Sequence, residues 1–266
     1  MKVLLTGAVG QLGQALIASV PPQVELIACS RAELDLADPA ACQAAVRDHQ
    51  PDWVLNAGAP GAFAEALAET GGRLLQVSTD FVFNGEQGRP YQPDQALDPL
   101  GVYGASKAAG EVAALALPGA RVLRTSWVYG PVGKNFCLTM LRLHGLKAAA
   151  GEALGVVADQ VGCPTATHNL ASACWRAIST EGPRILHWSD AGAASWYDFA
   201  VAIGELGVEL GLLQQAAAVR PLTTADYPTP AQRPSYSLLD CTASRAALGL
   251  EPQHWRAALA QVLDPA

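Results

Sequence analysis

Short apolar runs alternate with stretches of helical spacing through the first half of the chain. Lys2–Thr6 (KVLLT) ends at a glycine cluster, and the following GQLGQALIASV has helical spacing. Val24–Ala28, Trp53–Ala57, Arg73–Ser78 and Arg121–Thr125 repeat the apolar run. Strands apolar nearly throughout are buried on both faces, which predicts a parallel sheet covered on each side by helices. With right-handed crossovers this is an α/β, doubly wound sheet of Rossmann type. After about residue 130 the rhythm loosens, and prolines and tryptophans enter. Helices are predicted near 167–178, 195–207 and 254–263, in a smaller lobe over the sheet's carboxyl edge.

Composition narrows the class. Half of the 266 residues are apolar and 15% are charged, ample for a core and unlike a disordered chain. Lys and Arg number 17 against 24 Asp and Glu, a net charge of −7 that argues against non-specific binding to a nucleic-acid polymer. No apolar run reaches the ~18 residues of a membrane span, and no signal peptide precedes the first strand. Cys29, Cys42, Cys137, Cys163, Cys174 and Cys241 form no C-x-x-C pair. They read as reduced thiols in a cytoplasmic protein, without zinc.

Gly7-Ala8-Val9-Gly10-Gln11-Leu12-Gly13 follows the first strand and opens the first helix. Glycines there permit a tight turn and a close backbone approach, and a helix N-terminus offers N–H groups to a pyrophosphate. The G-x-x-G-x-x-G spacing is that of short-chain dehydrogenases and reductases. At the end of the second strand stand Ser30 and Arg31, with no acid until Glu33. A neutral residue beside a cation tilts the expected cofactor toward NADPH, with NADH possible. Asp35 and Leu36 are expected on the adenine side, and Asn56, Ala57 and Ser78 at the ends of the third and fourth strands.

Tyr103 and Lys107 stand four apart in PLGVYGASKAAGEVAAL, so on a helix they share a face. A cation near the phenol is expected to lower its pKa and make a usable acid, and the ammonium can also hold the nicotinamide ribose. Ser78-Thr79-Asp80 closes the fourth strand at the carboxyl edge, where ligands of such sheets bind. There Thr79 can donate to a substrate carbonyl.

The chain resembles the dTDP-4-dehydrorhamnose reductases, extended short-chain reductases of nucleotide-sugar metabolism. The strings that carry the resemblance are STDFVFNGEQGRPY (78–91), DPLGVYGASKAAGE (98–111), RTSWVYGPVGKNF (124–136), ADQVGCPT (158–165), SWYDFA (195–200) and YPTPAQRPSYSLLD (227–240). The resemblance implies NADPH-dependent reduction of a 4-keto nucleotide-sugar in dTDP-rhamnose biosynthesis, with Thr79, Tyr103 and Lys107 as catalytic trio. It implies that Asp80, Phe81, Val82 and Trp127 border the sugar, and that Asn135 and Arg233 reach the nucleotide-sugar from the smaller lobe. Residues 1–130, with returning segments near 155–190, are then the NADP-binding domain, and 131–154 with 191–266 the substrate lobe. Trp196 is read as core, and His168 and His187 as structural. The partners expected are a nucleotide-sugar and neither nucleic acid nor membrane, for a monomer or weak homodimer.

Two departures stand out. Asn56-Ala57 runs directly into Gly58-Ala59-Pro60-Gly61, where the family has about twenty more residues. Both flanks match, so a mobile loop missing from the chain is favoured over a true deletion. Magnesium-dependent members carry a carboxylate where this chain has Gln14-Ala15, so no metal is expected. Phe81 in place of an acid disfavours a dehydratase. A 4-epimerase would use the same trio, and a non-catalytic regulatory subunit like that of methionine adenosyltransferase is a further alternative.

Overall fold

The computed structural model describes residues 1–56 and 58–264. Ala57, expected beside the cofactor, lies outside the described residues. Its first half runs β1 (Lys2–Thr6), α1 (Gln11–Ala18), β2 (Glu25–Cys29), α2 (Pro39–His49), β3 (Trp53–Asn56), α3 (Pro60–Thr70), β4 (Arg73–Thr79), α4 (Val102–Leu115) and β5 (Arg121–Thr125). Next come β6 (Val128–Tyr129), α5 (Phe136–Ala149), β7 (Leu154–Val157), β8 (Val161–Gly162), β9 (Thr165–Ala166) and α6 (Thr167–Ser179). The chain ends with β10 (Ile185–Trp188), β11 (Ala194–Ser195), α7 (Trp196–Glu209), β12 (Val219–Leu222), α8 (Thr242–Leu248) and α9 (Trp255–Leu263).

Six strands form one parallel sheet in the order β10-β5-β4-β3-β1-β2. The period-two alternation of a strand explains why each run is apolar throughout. Val3, Leu5, Leu75 and Leu123 face one side, packing with Leu16 of α1 and Leu170 and Cys174 of α6. Leu4, Val54, Leu74 and Val122 face the other, against Cys42 and Val46 of α2, Phe63 of α3 and Ala114 of α4. Each fully buried side chain of this size contributes ~1.5–3 kcal/mol, so each layer is strongly held. The sixth strand, β10, was not among the five strands read from the sequence.

The C-terminal elements carry a separate core of Tyr129, Cys137, Cys163, Phe199 and Trp255. The string SWYDFA starts α7 with a capping box: the Ser195 hydroxyl accepts from the Asp198 N–H, and the Asp198 carboxylate accepts from the Ser195 N–H. A fourth cluster joins Val82, Phe83 and Tyr91 to Leu239 and Cys241. All six cysteines are free, and five are buried among these clusters. Among the described residues no helix is long and apolar enough to cross a membrane.

Beneath the carboxyl edge lies a buried ion pair. Arg124 of β5 and Glu111 of α4 are each no more than 2% exposed and meet through several hydrogen bonds, the shortest 2.7 Å. The Ser78 hydroxyl of β4 donates to Glu111 at 2.5 Å, while Arg124 also donates to the Pro93 carbonyl and contacts the ring nitrogen of His187. This network ties strand β4 to helix α4, the two elements that carry the expected trio.

Candidate active site

Strand β4 ends at Thr79, and a single 3₁₀ turn (Asp80–Val82) redirects the chain. The Thr79 hydroxyl holds that turn, accepting from the Phe81 N–H at 3.2 Å and donating to Asp80 Oδ1 at 2.9 Å. Helix α4 approaches closely because residue 104 is glycine: a Cβ there would lie 2.1 Å from the Phe81 carbonyl oxygen. That approach sets Tyr103 edge-on to Phe81, with ring centroids 6.1 Å apart, and brings its phenol near Thr79. One turn on, Lys107 Nζ donates to the Val77 carbonyl at 2.9 Å. Tyr103 thus lies beside the Thr79 turn, and Lys107 one helical turn farther along α4.

Their protonation differs from the expectation in one respect. Tyr103 is 57% exposed, yet the withdrawal of part of its phenol from water, and then the nearby Asp80 carboxylate, raise its pKa, with Thr79 opposing the rise. Burial also lowers Lys107, with Glu111 opposing. The phenol therefore keeps its proton at neutral pH, the state required of a group that must give one away.

Thr79, Asp80, Phe81 and Tyr103 line a cavity of about 720 Å³, with Trp127, Trp196 and the segment Pro230–Pro234, including Arg233, on the opposite wall. Trp127 has φ of +46° and stacks parallel on Trp196, with centroids 3.6 Å apart. Trp196 is therefore not simple core. With Arg233 it also borders a smaller cavity of about 160 Å³ containing Phe136, Gln160 and Tyr227. Two expected substrate residues lie elsewhere. Val82 is fully buried in the cluster with Phe83 and Tyr91. Asn135 caps α5, accepting from the Leu138 N–H, and its amide N–H groups go to Gln11 Oε1, the Gly130 carbonyl and the Val132 carbonyl. It ties the loop before α5 to the glycine cradle.

A second pair of cavities runs along the other half of the edge. One of about 470 Å³ is lined by Gly7, Gly10, Gln11, Leu12, Gly13, Leu36, Asn56 and Val77. The next, about 450 Å³, adds Arg31 and Asp35 and shares Gly7 and Leu36. A Cβ on Gly13 would fall 2.2 Å from the Gly7 carbonyl, so only glycine lets α1 start this close to β1. Among the described residues no side chain caps α1, which leaves its N-terminus open to an anion in the cavity. These residues fit a dinucleotide whose pyrophosphate rests on the helix. Val9 is instead 70% exposed, Ser30 bonds to Glu33, and the Ser78 hydroxyl is spent on Glu111.

The RmlD substrate binding domain model matches residues 1–62 and 55–266. The chain belongs to this family. The spore coat polysaccharide biosynthesis protein SpsK of Bacillus subtilis (strain 168) is 39% identical, over 99% of this chain and 97% of its own length. A dTDP-4-dehydrorhamnose reductase of Aggregatibacter actinomycetemcomitans is 36% identical over 98% of each chain. A crystal structure of the dTDP-4-dehydrorhamnose reductase of Bacillus anthracis in complex with NADP has a TM-score of 0.89 at 28% identity, covering 100% of this chain and 99% of that one. The two stretches matched by the RmlD model overlap at residues 55–62, the place where about twenty family residues were expected and are not in the chain. At that join the Gly58 N–H bonds to the Asn56 side chain at 3.0 Å, and α3 starts at Pro60.

The wall of the larger cavity also carries a titration signature. Asp80 is buried, its Oδ2 has no hydrogen-bond partner among the described residues, and burial pushes its carboxyl up to about 7, against hydrogen bonds from Ser237 and Thr79. Raised from 3.8, it binds its proton more tightly when folded. Its burial therefore costs almost nothing below pH ~4, and the cost grows to on the order of 4 kcal/mol above pH ~7. Asp80→Asn is expected to raise the melting temperature relative to the parent at pH 8 and to lose that advantage at pH 4. Melting curves at the two pH values test it, and a pH-independent difference would refute it.

Proposed function

We propose that this chain reduces the 4-keto group of dTDP-4-dehydro-6-deoxy-L-mannose (dTDP-4-dehydrorhamnose) to dTDP-L-rhamnose, with NADPH as hydride source. What supports the reading is Tyr103 set beside the Thr79 turn, with Lys107 one helical turn on, in a chain of the RmlD family. The reductase from Aggregatibacter and the NADP complex from Bacillus anthracis support the same assignment.

Gly7, Gly10 and Gly13 would hold the dinucleotide, which when bound would supply the hydride. Turned from Asp80 Oδ1 toward the substrate, the Thr79 hydroxyl donates to the carbonyl, and Tyr103 Oη gives its proton to that oxygen as it gains charge. Lys107, one helical turn from Tyr103, stabilises the phenolate left behind. Asp80, Phe81 and Trp127 border the sugar. Arg233, shared by both cavities, suits a pyrophosphate between sugar and base. Residues 1–130 with the segments near 155–190 serve the cofactor, and 131–154 with 191–266 serve the substrate. Free thiols fit a reducing cytosol.

The test is consumption of NADPH with freshly generated dTDP-4-dehydrorhamnose, with NADH in parallel. Formation of dTDP-L-rhamnose is the expected outcome. Binding of NADPH without turnover would overturn it in favour of a regulatory subunit. Interconversion of epimers without net cofactor use would favour an epimerase.

A further inference from the structure

The wall of the larger cavity that faces Tyr103 is built around a strained residue. Trp127 has a φ of +46°, a left-handed conformation that is unfavourable for a bulky side chain and persists only where its surroundings hold it. Its carbonyl accepts from the Thr165 N–H at 3.2 Å, and the preceding Ser126 hydroxyl donates to the Cys163 carbonyl at 2.7 Å. Its indole lies against Gly162, where a Cβ would fall 2.6 Å from the ring, and stacks on Trp196 with the two planes 6° apart. Trp196 is itself well anchored. The Ser195–Asp198 capping box starts α7 at this residue, Ser195 pairs with Val161 across β11 and β8, and the Phe136 ring packs on the indole with centroids 4.7 Å apart. Trp127 lines the larger cavity, and Trp196 lines both it and the smaller one. Among the described residues, neither tryptophan lines the two cavities of the cradle.

We infer that Trp196 is a positioning residue for the reduction: its indole holds Trp127 in place as a flat apolar wall, and that wall keeps the sugar turned toward Tyr103. Among the described residues Trp196 is the one ring stacked on Trp127. Without it the strained backbone is free to relax and the wall to shift. A displacement of about 1 Å in a group that positions substrate is enough to cost about 10²-fold in rate. The inference rests on the proposed reading that the larger cavity takes the keto-sugar.

A double-variant cycle tests it on the full chain, with NADPH and dTDP-4-dehydrorhamnose. Trp196→Leu keeps apolar volume and removes the flat ring. It is expected to lower kcat/KM by roughly 10- to 100-fold, with the Kd for NADPH unchanged. Trp196→Phe, which keeps a flat ring, should recover most of the loss. Adding Trp196→Leu to Trp127→Leu should cost less than about twofold further, because a residue that acts through another then has nothing left to hold. Additive losses would overturn the inference and make Trp196 a direct contact of the nucleotide-sugar. A loss of NADPH affinity in step with kcat/KM would overturn it too, in favour of a purely structural role. A second readout needs no substrate: fluorine NMR of the chain labelled with fluorotryptophan, the Trp127 resonance assigned through Trp127→Phe. That resonance should be single and narrow in the parent, and broadened or split in Trp196→Leu as the ring exchanges between positions. A resonance equally narrow in both would overturn the inference. Failure of the proposed reaction would show as a parent without turnover, and the NMR comparison would still decide whether Trp196 holds Trp127.

Discussion

Tyr103→Phe is expected to lower kcat by roughly 10²- to 10⁴-fold with little change in the Kd for NADPH. The substitution removes one oxygen and keeps the ring, so the edge contact with Phe81 at 6.1 Å and the packing of α4 on the 3₁₀ turn persist. What is lost is the donor beside Thr79 whose pKa partial withdrawal from water has raised. Steady-state kinetics and direct cofactor binding on the same preparation separate the two effects. Turnover within a few-fold of the parent would mean that another group supplies the proton.

The second large effect concerns stability. Arg124→Met would leave the buried Glu111 carboxylate with the Ser78 hydroxyl bonded to it and the Lys107 ammonium as the nearby cation. Breaking a buried pair by removing one member costs ~3–5 kcal/mol, because the remaining charge is stranded. At ~2–4 °C per kcal/mol for a chain of this size, Tm should fall by roughly 6–20 °C. Replacing both members, Glu111→Leu with Arg124→Met, should recover much of the loss, since a well-packed apolar pair avoids the desolvation penalty. Thermal melts of the single and double variants decide the matter. If the double variant is no better than the worse single, the pair acts through shape rather than charge. The expected loss extends to turnover, because Glu111 lies one helical turn beyond Lys107 and Ser78 immediately precedes Thr79.

The five strands read from the apolar runs recur in the structure within one residue at each end, and the three C-terminal helices within two. Such runs are legible because burial on both faces leaves no polar position to confuse the period. β10 was missed because Ile185–Trp188 (ILHW) carries a histidine in its middle, which turns out to contact Arg124. At the site, the cradle and the Tyr103–Lys107 spacing were readable because their geometry is local. Trp196 was not, since a tryptophan in the first turn of a helix has the same sequence signature whether it meets core or a cavity. Its role depends on Trp127 arriving from another part of the chain in a left-handed conformation. Asn135 could have been read differently, since an Asn directly before an apolar helical stretch is a capping signal. The Tyr103 pKa moves upward rather than down, because partial withdrawal from water and the Asp80 carboxylate, which spacing does not reveal, set its direction.

The scattered free thiols make the chain a set of built-in clocks. Cys174 sits in the layer under α1 and α6, Cys42 in the layer under α2 and α3, Cys137 and Cys163 in the C-terminal core, and Cys241 beside the 3₁₀ turn. A buried thiol reacts with an alkylating reagent only when its surroundings open, at a rate set by the free energy of that opening. Timed alkylation resolved peptide by peptide would therefore yield a separate opening free energy for each packing layer, with half-buried Cys29 as the internal reference. A bound ligand that steadies one layer would slow its own cysteine and leave the others running.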